Sequence, residues 1–292
     1  MAVAEGLRRA LSPRRSVVGY DRSVFGTFDE FDTIHPELRR TICLDPTDLD
    51  PDADLVTGHM ALSTLRARFR EHRRFTILRE PRSRLLSLWL YWRALPSATL
   101  SFWGTWAERA RQSHRPLLDF LTVPEVACQT DNQVTRLLLW PHELIPDWGF
   151  IPRDADAVLL DAARRALSTL DYVGLSEDPD LDRRVGDFLG SAFSRPRVNE
   201  TPSLKPEHRP VLAHEMNVPT LEALFQRTRL DAALWSEVVR AAMPRQNPLM
   251  LGEQAFLGNL FRYIGTSTAT AVAAQGPPDP QDGRADGQAG TV

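Results

Sequence analysis

The chain has 292 residues, 42% hydrophobic and 25% charged, and a formal net charge of −3 at pH 7. A chain of this length and composition can bury roughly three-quarters of its unfolded surface, which predicts a globular protein. The near-balanced charge gives no sign of nucleic acid or a membrane surface as a partner, and no apolar run approaches the ~20 residues of a membrane span.

The first 60 residues predict a helix, two strands and an acidic loop. Residues 3–11 favour a helix, and residues 16–19 favour a short strand. The acidic residues in 27–50 have spacings that fit no calcium loop, so we interpret this segment as a solvated loop and predict no metal site. A second apolar strand, 54–59, ends in Gly58-His59.

The stretch 75–93 carries the most informative pattern. The apolar run 75–78 predicts a buried parallel strand with Arg79 at its carboxyl end, and Pro81 suits the first turn of a following helix. One face of that helix is apolar, with Leu85, Leu88, Trp89 and Trp92. Arg84, Ser87 and Tyr91 share another face.

Arg79 and Ser87 are therefore predicted to converge above a strand end, where open α/β sheets bind ligands. An arginine, a serine and a helix N-terminus together suit a phosphate group. The alternative is an ordinary strand–turn–helix unit with a surface arginine, because short motifs often mislead.

The remaining chain is predicted to be mainly helical. Trp103 and Trp106 lie in a segment, 94–113, that either lines a binding site or covers the core. Helices are predicted near 115–122, 130–140, 154–169, 178–194 and 219–242. We expect one domain, 1–265, followed by a disordered tail, 266–292, that has almost no large apolar residue.

The order Arg79-Glu80-Pro81, Arg84, Ser87 resembles the 3′-phosphate-binding motif of PAPS-dependent sulfotransferases, where PAPS is 3′-phosphoadenosine 5′-phosphosulfate. It is most similar to the carbohydrate sulfotransferases of the heparan sulfate 2-O-sulfotransferase type, in which the motif reads Arg-Asp-Pro-x-x-Arg-x-x-Ser. The resemblance implies that Arg79 and Ser87 bind the 3′-phosphate. It implies that Arg84 braces the helix or the adenosine pocket.

Gly58-His59 is similar to a Gly-His pair at the end of the family's preceding strand, which implies that His59 is the catalytic base. Sulfuryl transfer to an alcohol releases a proton, and histidine is the usual residue that accepts one near neutral pH. The alternative is a loop histidine without a partner.

Two further segments extend the resemblance. The helix start at Asn132 and Arg136 is similar to the family's Asp-Asn-x-x-x-Arg helix, which implies acceptor-substrate binding; a capped, solvated helix start explains it equally well. The strand with Tyr172 and Gly174 is similar to one on the family's cofactor side, although such a strand is typical of a core. Residues 198–201 resemble the segment that follows it.

The resemblance implies an α/β fold of the P-loop type, a three-layer sandwich with a central parallel sheet. The family's first strand and its Pro-Lys-x-x-Gly-Thr-Ser-Leu loop have no counterpart here, so we expect an N-terminally truncated domain or a true start upstream of Met1. Lys205 is the only lysine, and a solvated loop position explains it better than a phosphate contact.

The implied activity is transfer of a sulfuryl group from PAPS to a hydroxyl of a carbohydrate, glycolipid or related acceptor, with PAP as the second product and no metal. The alternative is an inactive relative that binds PAP or PAPS only weakly. A P-loop kinase is excluded because no Gly-x-x-x-x-Gly-Lys-Ser/Thr sequence occurs.

The two cysteines, Cys43 and Cys128, argue against a disulfide framework. With no visible signal peptide, they lead us to expect a cytoplasmic protein, associated with membranes at most through its acceptor. The oligomeric state stays open.

Overall fold

A computed structural model describes residues 2–196 and 212–274 as an α/β protein with mostly helices and small parallel sheets. The strands are β1 Ser16–Asp21, β2 Ile42–Cys43, β3 Leu55–His59, β4 Phe75–Leu78 and β5 Tyr172–Leu175. The helices are α1 Ala2–Leu11, α2 Pro36–Arg39, α3 Leu62–Arg68, α4 Pro81–Arg93, α5 Ser97–Ser101, α6 Ala107–Arg111, α7 Leu117–Leu121, α8 Ala127–Thr130, α9 Gln133–Leu139, α10 Asp156–Leu167, α11 Leu181–Leu189, α12 Leu212–Glu215, α13 Val218–Ala242 and α14 Pro248–Ala274.

The strands form two separate parallel sheets. One has the order β2-β1-β3, and the other consists of β4 and β5. Parallel α/β character is confirmed, but the single central sheet that we expected is not observed. The reason is the pairing: within the described residues β3 pairs only with β1, and β4 pairs only with β5.

Helix α4 lies in the centre of the largest hydrophobic core. Of the apolar face that we predicted, Leu85, Trp89 and Trp92 are buried and Leu88 is half-buried. Side chains from α6, α7, α13 and α14 pack around it. Trp106 belongs to this core with 1% of its surface exposed, so it covers the core rather than lining a site. Because α4 is surrounded, the groups at its N-terminus are held in place.

A second hydrophobic cluster joins the two sheets. Leu7 of α1 and Val185 of α11 pack with Leu55 of β3 and with Phe75 and Ile77 of β4. The predicted helix at 3–11 is thus confirmed, and its role is to pack against both sheets. The residues that end β3 and β4, His59 and Leu78, stand apart from this cluster.

The C-terminal helix was not predicted, because the last helix that we expected was the one near 219–242. Helix α14 continues to Ala274, past the boundary that we placed at residue 265. Its last residues are rich in alanine, the best helix former, and they extend a helix that already exists, which costs less than starting one. Residues 275–292, Lys205 and residues 198–201 lie outside the described residues.

Across 2–196 and 212–274, no helix is both long enough and apolar enough to cross a lipid bilayer. Cys43 and Cys128 are buried free thiols, so the chain has no disulfide between them.

A candidate anion-binding site beside β4 and α4

Arg79 and Ser87 lie close together at the end of β4 and on the first turns of α4. Both side chains lie near the hydroxyl group of Tyr263 on α14 and, by hydrogen bonding, help to lower its pKa. Arg79 Nη2 also donates a hydrogen bond of 3.2 Å to Oδ1 of Asn259 on α14. The convergence that we predicted from sequence spacing therefore occurs, and the two residues meet against a helix that the spacing did not reveal.

The turn between β4 and α4 is fixed by two glutamates. The backbone N–H of Glu80 donates a 2.9 Å hydrogen bond to Glu177 Oε1, and Trp235 Nε1 donates one of 3.2 Å to Glu177 Oε2. Pro81 occupies the first helical position, as we predicted. Arg79 is therefore attached to a rigid segment of backbone.

Glu80 also caps the N-terminus of α4. Its carboxylate accepts hydrogen bonds from the backbone N–H of Arg82 at 3.3 Å and of Ser83 at 2.7 Å. The same carboxylate is paired with the Arg82 guanidinium at 2.7 Å, with both side chains buried. A negative charge already occupies the position at which a phosphate would meet the helix N-terminus. These bonds occupy backbone N–H groups at this end of α4, so they disfavour our expectation that the helix N-terminus helps to bind a phosphate.

The Arg84 side chain forms its hydrogen bonds with other residues of the protein. Its guanidinium donates hydrogen bonds to the Gln133 side chain and, at 3.0 Å, to the Gln129 carbonyl oxygen. Burial lowers the pKa of Arg84 to about 10, the charge of Asp231 opposes this shift, and that of Arg79 adds to it. These contacts join α4 to α8 and α9, so Arg84 has the bracing position that the resemblance implied.

His59 ends β3 and lies at an open edge of the first sheet. His59 is exposed to solvent, but protein atoms surround its imidazole on most sides. The ring of Tyr20 stacks on the imidazole, with ring centroids 6.0 Å apart. The pKa of His59 is lowered to about 4. Loss of solvation is the larger cause, and the positive charge of Arg84 is the next largest. His59 is therefore a neutral proton acceptor at pH 7.

Glycine is required beside His59. Gly58 has φ of +139°, and a Cβ atom at this position would lie 1.9 Å from the carbonyl oxygen of Gly19 on β1. Any side chain here would separate β3 from β1 and move His59. The Gly-His pair therefore has a structural reason in addition to its resemblance.

Asn132 and Arg136, which the resemblance placed at the acceptor, are buried. Asn132 is 1% exposed and its Oδ1 accepts a 2.8 Å hydrogen bond from the backbone N–H of Leu230. Arg136 donates to three backbone carbonyl oxygens and is paired with Asp131 at 3.1 Å. Neither side chain has a free donor directed at solvent, so their placement favours a structural role. They are nevertheless not the solvated helix start that we considered as the alternative.

Tyr172 and Gly174 lie in β5, the strand that pairs with β4. Tyr172 pairs with Phe75 at the beginning of β4, and its ring stacks on Phe188. A Cβ atom at Gly174 would meet the Leu181 side chain at 2.8 Å. Both residues pack the core on the side of α11, and neither has a described contact with Arg79 or Ser87.

Aromatic rings cluster on one another beside His59. Tyr20 contacts His59 on one side and Trp103 on the other, with ring centroids 6.1 Å apart in the second pair. Burial raises the pKa of Tyr20, and the charge of Tyr91 on α4 raises it further. Tyr91 itself is 45% exposed. An aromatic ring therefore lies directly beside this proton acceptor.

Sequence reasoning missed the contribution of α14. Asn259, Arg262 and Tyr263 lie about 180 residues from Arg79 in the chain, and nothing local to either segment indicates their contact. A signal for the helix itself was present, because Phe256, Leu260 and Tyr263 are spaced four and three residues apart and are all buried.

Comparison with protein-family models, with curated proteins and with solved structures finds no match to this chain. Over residues 2–196 and 212–274, the structure contains no group of three or more metal-binding side chains.

Proposed function

We propose that this protein is a PAPS-dependent sulfotransferase that transfers a sulfuryl group to a hydroxyl of a carbohydrate, glycolipid or related acceptor. In this proposal its fold is a variant of the P-loop-type three-layer α/β sandwich. The observation that carries the proposal is the meeting of Arg79 and Ser87 at the end of β4, with His59 at the end of β3. These residues have the order and the strand-end positions of the family motif.

Arg79 suits the 3′-phosphate of PAPS. It forms no ion pair with a carboxylate among the described residues, and its side-chain partners there, Asn259 and Tyr263, are neutral. A guanidinium in this state has charge to offer an incoming anion, and charge-assisted hydrogen bonds to phosphate are about twice as strong as neutral ones. Ser87 supplies a hydroxyl group beside it.

His59 suits the acceptor proton. Its imidazole is neutral at pH 7 because its pKa is lowered, so it can accept a proton from an attacking hydroxyl group. The bound donor carries negative charge, which raises the pKa of a neighbouring imidazole and makes it a stronger base. The flat faces of Tyr20 and Trp103 suit the ring of a sugar beside that base.

A second candidate is a protein that binds PAP without transferring sulfate. Two observations favour it: Glu80 occupies the N-terminus of α4, and α14 occupies hydrogen-bonding groups of Arg79 and Ser87. Both reduce the donors available to a nucleotide. Binding of PAP without any transfer to an acceptor panel would select this candidate.

The proposal is tested by PAP binding to the Arg79→Gln variant. We expect the dissociation constant for PAP to rise about 10- to 150-fold, because a hydrogen bond to a charged group contributes roughly 1.5–3 kcal/mol. Isothermal titration calorimetry measures it. Arg165→Gln is the matched control, since Arg165 pairs with Asp161 on the exposed surface of α10. Equal affinity in the native protein and the Arg79 variant would remove Arg79 from the site.

A further inference from the structure

One side of helix α14 is apolar and open to solvent. Met250, Leu257 and Phe261 are 58%, 43% and 65% exposed, and their spacings of seven and four residues place them on one face of the helix. Leu249 beside them is 69% exposed. These four residues are called the α14 stripe below. Single exposed apolar residues are normal at a protein surface, but a contiguous row of them marks an interaction surface.

The other side of α14 is already packed against the domain. Phe256 and Leu260 are 2% and 8% exposed and belong to the core that surrounds α4. Glu253 near the start of the helix is paired with the buried Arg82 at 2.8 Å. The helix is therefore held in this orientation, and the α14 stripe is not a core face that has been turned outward.

The α14 stripe can face a second copy of itself without electrostatic repulsion. Within 248–261 the only ionisable side chain is that of Glu253, and its charge is paired with Arg82. Like charges that meet across an interface are what exclude a wrong partner, and here there are none. Gly258 follows the stripe residue Leu257, and a Cβ atom added to it would meet nothing within 4 Å. The backbone of a second helix can therefore come close at this point.

The spacing of the stripe suits an antiparallel copy of the same helix. A two-fold axis between residues 255 and 256 would place Met250 opposite Phe261 of the second copy, and symmetry would repeat this pair in the other half of the contact. A methionine sulfur and an aromatic ring attract one another. The same axis would place Gly258, which has no side chain, opposite the longer Glu253. The stripe is therefore complementary to itself.

The size of the surface fits a dimer. A standard interface buries about 800 Å² per partner, and a little over half of that area is apolar. Phe225 of α13 is 49% exposed and adjoins α14, because the Arg82 guanidinium lies over the rings of both Phe225 and Phe256, at 4.9 and 4.7 Å. With an area of about 150–250 Å² for one aromatic side chain, the stripe and Phe225 supply apolar surface of this order. Residues 275–292 hold one large apolar residue, Val292, and offer no matching face.

We infer that the α14 stripe is the interface of a symmetric dimer, in which the α14 helices of two copies of this chain pack antiparallel. The occupant of the stripe is thus a second copy of the same helix. This assignment is independent of the proposed function, since it requires no nucleotide and is tested without one.

Sedimentation of the full chain tests the dimer. At micromolar concentrations the native protein should have twice the mass of one chain. Phe261→Glu should raise the dissociation constant of the dimer at least about 100-fold, because symmetry places the new charge in the interface twice. Val158→Glu is the matched control: Val158 is a 54% exposed apolar residue on α10, and this variant should stay dimeric. Circular dichroism confirms that each variant is folded.

Cysteine cross-linking tests the antiparallel arrangement. Oxidation should link two chains of the double variant Met250→Cys/Phe261→Cys through disulfides. Met250→Cys alone should stay unlinked, because the two substituted positions would lie about 16 Å apart along the helices. The native Cys43 and Cys128 are buried and give the background. A monomeric native protein, or a dimer that persists in Phe261→Glu, would overturn the inference. Linking of Met250→Cys alone as readily as of the double variant would overturn the antiparallel arrangement.

Discussion

Replacing His59 with glutamine is expected to reduce sulfuryl transfer from PAPS by about 100- to 10,000-fold, the range that a general base contributes. Glutamine keeps a polar side chain of similar size but cannot accept the proton of an attacking hydroxyl group at neutral pH. The affinity for PAP should remain unchanged, because His59 lies on β3, in the other sheet from Arg79. Transfer of labelled sulfate to a panel of sugar and glycolipid acceptors measures the rate, and calorimetry measures PAP binding.

His72→Gln is the matched control for this prediction. His72 contacts the carbonyl oxygen of Ala53, which precedes β3, so this variant changes a histidine outside the proposed site. It should transfer sulfate at the native rate. Native turnover in the His59 variant, on an acceptor that the native protein sulfates, would rule out His59 as the base.

The protonation of His59 gives a separate expectation. In the free protein its pKa should lie below the ordinary value near 6.5, because partial desolvation and the Arg84 charge both disfavour the imidazolium form. Saturation with PAP should raise that pKa, since the ligand adds negative charge nearby. Proton NMR of the histidine ring resonances against pH measures both values. An ordinary pKa that PAP leaves unchanged would place His59 outside the site.

Replacing Arg136 with methionine is expected to lower the free energy of unfolding by roughly 3–5 kcal/mol, the cost of leaving a buried charge without its partner. Asp131 is completely buried and is paired with Arg136 at 3.1 Å. Its remaining cationic neighbours, Arg227 and Arg229, lie further away at 3.6 and 3.8 Å. The substitution also removes the donors for the carbonyl oxygens of Pro146 and Gly149.

Urea denaturation followed by circular dichroism measures this loss. Arg165→Met is the control, because exposed ion pairs such as Arg165–Asp161 contribute at most about 1 kcal/mol. A stable Arg136→Met protein that binds PAP but no longer transfers sulfate would instead support the acceptor-binding role that the resemblance implied for Arg136.

The parts of this structure that could be predicted from sequence are local. The strand 75–78, the helix that starts at Pro81 and its buried face at Leu85 and Trp89 follow from residue spacing within one segment. The convergence of Arg79 and Ser87 follows from the same spacing, since Arg79 directly follows the strand and Ser87 lies two turns into the helix.

The remaining features depend on contacts between distant segments. The capping role of Glu80 is an exception, because its bonds to Arg82 and Ser83 are local and we did not predict them. From the sequence alone, Arg136 is a polar residue on a helix. In the structure its guanidinium donates hydrogen bonds to the backbone carbonyl oxygens of residues 146 and 149. Long-range contacts of this kind have no periodic pattern in either segment, so spacing does not predict them.

Arg79 is proposed to recognise a 3′-phosphate, and the most direct test compares PAP with adenosine 5′-monophosphate as ligands of the native chain and of Arg79→Gln. In calorimetric titrations the native protein should bind PAP at least about tenfold more tightly, because PAP alone makes the charge-assisted contact with Arg79. That preference should disappear in the variant. Equal affinities for the two nucleotides in the native protein, or a preference that survives in Arg79→Gln, would contradict the account.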